Sequence, residues 1–309
     1  MMSILSQQIL FVWMAIVIGM DALLMGGSIP LSDTLALGIS KGENYGSIRL
    51  WGSLGWAGTI LIAGWLIQQA GIRMAFMGYA ISLALCAGVL LLVSPESAQK
   101  GQIRQRSGIN RGLAVLRGGL LNDTRITGIS AALVVVLFFR LGIASFESIY
   151  LDRLGAPESV IGLGGTIAAL VELPAMLWAD QLKKRIGSRR LFMASNGIYM
   201  GMMGAVLLAP SITTIIVTKI AAGFGLGFYL VSLVNFVHES VPERLRSTGL
   251  ALFTVTLPAL TKIVANPLNG FLFDALGTYW LYAFALGGYI VSTLILWLIV
   301  PHRHKTSSA

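Results

Sequence analysis

The chain has 309 residues, of which 56% are hydrophobic and only 11% charged, against about 25% charged in an ordinary soluble domain. So few charges cannot cover a water-soluble surface, and a lone Cys86 excludes an intrachain disulfide or a cysteine metal cluster. The net charge of +9 is scattered over loops between apolar runs, so it does not mark a nucleic-acid patch.

Those runs fall at 8–32, 50–70, 74–94, 127–150, 158–181, 191–209, 211–234, 248–270 and 278–300. At about 19 to 25 residues, each can cross a hydrocarbon core of about 30 Å as a helix. They predict an all-α polytopic membrane helix bundle of about nine spans. The first run has no Lys or Arg before it and no small-residue cleavage site after a short apolar core, so it reads as a retained helix. Segment 95–126 is the one long polar interval and divides the spans three to six. The predicted organisation is a partial bundle over 1–94, a cytoplasmic linker over 95–126 and a six-helix bundle over 127–309.

Basic residues alternate with the loops. One side carries Lys41, Lys100, Arg104, Arg106, Arg111, Arg117, Arg125, Lys183, Lys184, Arg185, Arg189, Arg190, Arg244, Arg246, Arg303 and Lys305; the other carries Arg73 and Arg153. Sixteen against two is a strong positive-inside bias. It predicts a cytoplasmic C-terminus and, with nine spans, an N-terminus outside.

An ungapped offset of 206 aligns 64–95 with 270–301, matching Gly64 to Gly270, Leu66 to Leu272, Gly71 to Gly277 and Pro95 to Pro301. The match indicates a duplicated helical half. Fewer residues precede Gly64 than precede Gly270 within the second half, so about three helices are expected to be missing from the first half.

Eight charges stand inside the spans: Asp21, Asp33, Arg49, Arg140, Glu147, Glu172, Lys219 and Lys262. Facing lipid, each would cost about 2.5–3.5 kcal/mol, and together roughly 20 kcal/mol, beyond the usual 5–15 kcal/mol of net stability. They must therefore face one another or a watery cavity, which makes them candidate solute-site residues. Arg140 and Glu147, seven positions apart, share a helix face. Lys262, Asn266 and Asn269 form a second polar stripe. Glu172 stands just before Pro174, and desolvation there could raise its proton affinity, as proton coupling requires. For each of these charges a structural salt bridge is the competing reading. An Arg49 fork could hold a substrate oxygen bidentately, with Asp33 neutralising it when the site is empty; the alternative is that both snorkel near a helix end. No G-x-x-x-x-G-K-S/T loop is present, which disfavours ATP-driven transport, and His238, His302 and His304 lie outside any span core, so no cofactor or metal is expected.

The loop 179-ADQLKKRIGSRRLF-192 has the order small-Asp-x-Leu-x-x-Arg-x-Gly-x-Arg-Arg. It resembles the signature loop of the major facilitator superfamily, and the resemblance implies a cytoplasmic gate built from Asp180, Arg185, Arg189 and Arg190. The stretch 30-PLSDTLALGISKGENYGSIRLWGSLGW-56 resembles helix 4 to helix 5 of the branch that holds the lac permease, nucleoside–proton symporters and phenylpropionate transporters. It implies solute contacts by Asp33 and Arg49, and entry into the family pattern at helix 4. Ala222 and Gly225, however, align with positions where the lac permease carries its coupling His and Glu, so that proton mechanism does not transfer.

Together these readings predict a secondary transporter of the bacterial inner membrane. Its cargo would be a small solute such as a sugar, nucleoside or aromatic acid, with protons as coupling partner. A truncated or split transporter, completed by a three-helix N-terminal segment, is the first alternative. An intramembrane enzyme or receptor is the second, and it lacks both a nucleophile–base set and a soluble domain.

Overall fold

A computed structural model describes residues 11–14, 16–21, 45–91, 124–241 and 246–300, and no strand occurs among them. Short helical stretches at 11–14 and 16–21 precede α1 (Tyr45–Ala70), α2 (Arg73–Leu91), α3 (Thr124–Arg153), α4 (Glu158–Leu208), α5 (Ile212–Ser240) and α6 (Arg246–Ala251). A π-helical turn (Leu252–Thr256) leads into α7 (Leu257–Leu276), and α8 (Thr278–Leu298) follows. The described parts of the expected spans after the first are helical apart from a residue or two at their ends.

Among the described residues, five segments are long and apolar enough to cross a membrane: Ile126–Arg153, Glu158–Leu208, Ile212–Ser240, Gly249–Leu276 and Thr278–Leu298. The second has 51 residues, which as one rod would be roughly 76 Å long, more than twice a hydrocarbon core of about 30 Å. It is broken at Gly187, where φ is 82° and ψ is 163°, a combination open essentially to glycine alone. So α4 is two spans joined at one residue. The loop expected over 179–192 is helical on both sides of that residue. Its Lys183 ammonium donates to Asn235 Oδ1 on α5, which ties this part of α4 to α5.

The chain divides into two compact units, Met1–Gly52 with Ile81–Arg106, and Ser53–Ala80 with Ser107–Ala309. In the second unit α4 lies along α5, and α3 packs against α7 and α8. Close approach of α4 and α5 depends on Gly223: a Cβ there would stand 2.5 Å from the Ala168 carbonyl oxygen. The first half of α4 also meets α1, where the Thr166 hydroxyl donates to the Ala57 carbonyl at 2.9 Å.

Burial in this unit mixes polar groups into an apolar core and leaves large apolar side chains outside. Asn196, Ser195, Ser232, Asn269 and Ser292 are almost wholly enclosed, whereas Leu177, Trp178, Phe271 and Trp297 are more than half exposed. An apolar exterior around a core that encloses hydrogen-bonding groups suits a hydrocarbon solvent. Two of these polar side chains pair across helices: the Ser195 hydroxyl donates to the Gly225 carbonyl at 2.7 Å, and the Asn196 amide donates to Ser292 Oγ at 3.1 Å.

Candidate functional site

Two charged nodes occupy the interior of the second unit, both founded on α3. Seven positions apart, Arg140 and Glu147 are roughly 10.5 Å apart along the helix axis and on the same face. Helix α3 therefore presents both to the interior.

The first node is an ion pair between the Glu147 carboxylate and the Lys219 ammonium of α5. Glu147 is 7% exposed, and a charge that deep is tolerable only when paired and hydrogen-bonded. Its second oxygen, Oε1, accepts from the Tyr282 hydroxyl of α8 at 3.1 Å. Both carboxylate oxygens are thus engaged, and the ion pair ties α3, α5 and α8 together.

The second node surrounds Arg140. Its guanidinium carbon lies 5.1 Å from the centre of the Tyr229 ring, within cation–π range. The phenols of Tyr199 and Tyr289 complete its surroundings. Tyr199 and Tyr289 stack on each other with centroids 5.0 Å apart and planes 13° from parallel. Tyr199 also lies within electrostatic reach of Glu172 and Glu147, which links the two nodes. Its ring fills the space beside Gly225, where a Cβ would stand 2.8 Å from Tyr199 Cε2. The position at which the resemblance places a coupling Glu is therefore occupied here by a tyrosine ring from α4.

Of the expected solute-site residues, Arg140, Glu147 and Lys219 converge, and Glu172 is half-buried near Tyr199. Lys262 is exposed on α7, apart from the two nodes. Its stripe partner Asn269 is fully buried instead, with its amide donating to the Phe138 carbonyl at 3.0 Å. Asp33 lies outside the described residues, as does the side chain of Arg49, whose backbone belongs to α1. At the expected gate, Asp180, Arg185 and Arg190 are exposed. Arg189 Nη2 donates to the Trp297 carbonyl at 2.7 Å, and the Ser188 hydroxyl donates to Glu239 at 2.7 Å. This corner of α4 is therefore pinned to the ends of α5 and α8. Among the described residues no group of acidic, His and Cys side chains could hold a metal ion.

The tyrosines escaped the reading of the sequence, although a signal was present. Tyr282 and Tyr289 on α8 repeat the seven-residue spacing of Glu147 and Arg140 on α3, and each faces the corresponding charge.

The MFS_1 like family matches residues 1–284. The chain is 30% identical over 289 residues to the maltose permease of Geobacillus stearothermophilus, covering 90% of this chain and 69% of the relative. The uncharacterized transporter YwbF of Bacillus subtilis (strain 168) is 23% identical, with 90% and 68% covered. The raffinose permease of Escherichia coli is 23% identical, with 83% and 61% covered.

Proposed function

The chain belongs to the MFS_1 like family, and on that premise we propose that it moves a small ring solute, such as a sugar or an aromatic acid, together with a proton. It is a multi-pass membrane transport protein of the major facilitator type and not an enzyme. The observation that carries the proposal is the Glu147–Lys219 ion pair enclosed in a polar interior, with Tyr282 on the second carboxylate oxygen.

A carboxylate held by one ammonium and one phenol can accept a proton if the ammonium withdraws, and a movement of α5 relative to α3 would do that. Solute binding would supply the movement. Arg140, Glu172 and the tyrosines line the same interior, and aromatic faces suit the apolar faces of a sugar ring. Asp33 and Arg49 belong to the proposed solute site as the first half's contribution, with Lys262 at its edge. Asp180, Arg185, Arg189 and Arg190 form the proposed gate.

The proposed organisation keeps a partial bundle over 1–94 and a six-helix bundle over 127–309, joined by 95–126. The contact of α1 with α4 is then the seam between them. It is built from small residues: a Cβ on Gly64 would meet the Glu158 carbonyl oxygen at 2.6 Å. Rocking of two bundles about a midplane site needs such a smooth seam. A bacterial inner membrane with the C-terminus inside completes the reading.

The test is uptake of radiolabelled maltose, raffinose, glucuronate and benzoate by the full chain in liposomes, with and without an inward proton gradient. Saturable uptake that the gradient accelerates is expected. Glu147→Gln should abolish gradient-driven accumulation about tenfold or more while leaving solute exchange measurable, because it removes the titrating group and keeps the shape. Gradient-driven accumulation by Glu147→Gln at the wild-type level would exclude Glu147 as the coupling group.

A further inference from the structure

We propose that Arg140, with the hydroxyls of Tyr199 and Tyr289, binds the carboxylate group of the transported solute, so that the cargo is an acidic ring compound. This rests on the transport function proposed above and assigns the solute's charge.

Two cations stand in the interior described above, and they differ in one respect. Lys219 has its carboxylate in Glu147. The groups that act on the Arg140 guanidinium are the phenols of Tyr199, Tyr229 and Tyr289, with no carboxylate among them. Its Nε is buried and has no hydrogen-bond partner. The Tyr229 face, 5.1 Å from the guanidinium carbon, offsets part of the cost of burying that charge. The Tyr199 hydroxyl takes part of the guanidinium fork, but a ring face accepts no in-plane N–H bond, so Nε stays unanswered.

Tyr289 makes the same demand independently. It is 0% exposed and its hydroxyl has no hydrogen-bond partner. Its ring is stacked on Tyr199, so the hydroxyl cannot swing elsewhere without dismantling the stack. A guanidinium offers donors only, and a phenol beside it can always donate. The group that satisfies both at once is an acceptor of negative charge, and a carboxylate matches the planar fork of arginine with two oxygens. Glu147 cannot serve, because Lys219 and Tyr282 hold both its oxygens. Glu172 acts on Tyr199 but is not among the groups acting on Arg140. An anion delivered by a ligand is the group that answers Nε and the Tyr289 hydroxyl together.

The purified full chain in detergent micelles allows a direct test by thermal unfolding, without any flux measurement. The probes are two acid–amide pairs, glucuronate with glucuronamide and benzoate with benzamide, and sodium chloride at matched ionic strength. In at least one pair the acid should stabilise the protein at about tenfold lower concentration than its amide, with chloride ineffective. Tyr289→Phe keeps the ring stack and removes one donor, and it should weaken the acid about three- to tenfold without changing the amide. Arg140→Gln should erase the preference for the acid, and Arg140→Lys most of it. Should Arg140→Gln fail to fold, Tyr289→Phe still decides. Equal stabilisation by acid and amide, no stabilisation by either acid, chloride acting as well as the acids, or an unchanged acid affinity in Tyr289→Phe would each overturn the assignment. Uptake of a neutral sugar by a protein without acid preference would overturn this assignment and leave the transport reading standing. Acid binding in a protein that moves no solute would do the reverse.

Discussion

At Gly225 a single missing side chain sets the identity of the interior. Tyr199 occupies the room, places its hydroxyl 3.3 Å from the Ala222 carbonyl it donates to, and meets both Arg140 and Tyr289. Gly225→Ala should push the Tyr199 ring out of its stack and cost about 1–3 kcal/mol, the usual range for overpacking. Melting of the detergent-purified protein measures it, and the same substitution in a Tyr199→Ala background should cost far less, since the clash is pairwise. Equal costs in the two backgrounds would mean that Tyr199 is not what Gly225 accommodates. The charges of this site were legible in the sequence because charge inside an apolar run is conspicuous: Arg140, Glu147 and Lys219 announce themselves. Tyr199, Tyr229, Tyr282 and Tyr289 were not, because tyrosine sits as comfortably against lipid as in a polar core, and only packing reveals which of its neighbours each ring meets. Lys262 shows the converse: its position in a span suggested the cavity, and the rotation of α7 leaves it exposed while burying Asn269.

The elements are punctuated by glycines. Gly71, Gly155, Gly187 and Gly277 all have φ near +80°, and each separates two helical spans. The offset of 206 finds its physical counterpart here. Gly71 donates to the Ile67 carbonyl at 2.8 Å and Gly277 to the Phe273 carbonyl at 3.0 Å, and these pairs are themselves equivalent under the same offset. The repeated sequence therefore encodes a repeated helix ending. Gly277→Ala should cost about 1–3 kcal/mol, the strain of a side chain in a glycine-only region. Gly201→Ala, in mid-helix with open space around the added methyl, should be neutral or slightly stabilising. A melting experiment in which both substitutions behave alike would show that the left-handed turn carries no such strain. Hydropathy placed the spans well because a helix crossing hydrocarbon needs a minimum apolar length. It placed their ends less well: α3 runs to Arg153 and α5 to Ser240, past the apolar stretches, since a helix continues into water as long as its backbone and side chains find partners.

For the whole molecule, the remaining question is which way the bundle faces. Contacts sort the described turns into two ends without reference to charge. At one end, Lys183 and Ser188 reach Asn235 and Glu239, and Arg189 reaches the Trp297 carbonyl, so the Gly187 corner lies beside the last turns of α5 and α8. At the other end, Arg153 lies over the Phe273 ring, 4.4 Å from its centre, which places the α3–α4 turn beside the α7–α8 turn. The basic residues follow the same division: Lys183, Lys184, Arg185, Arg189 and Arg190 belong to the first end, and Arg153 to the second. Retaining the more basic side in the cytoplasm is the rule for short loops, so the Gly187 corner and the C-terminus should face inward. Reporter fusions after Lys184 and Lys305 should therefore report cytoplasm, and fusions after Arg153 and Pro210 the outside. Because the contacts fix which turns share an end, the four signals are not independent. Opposite signals at Lys184 and Lys305 would contradict the Arg189–Trp297 contact itself, whereas a concerted inversion of all four would keep the fold and overturn only the charge argument.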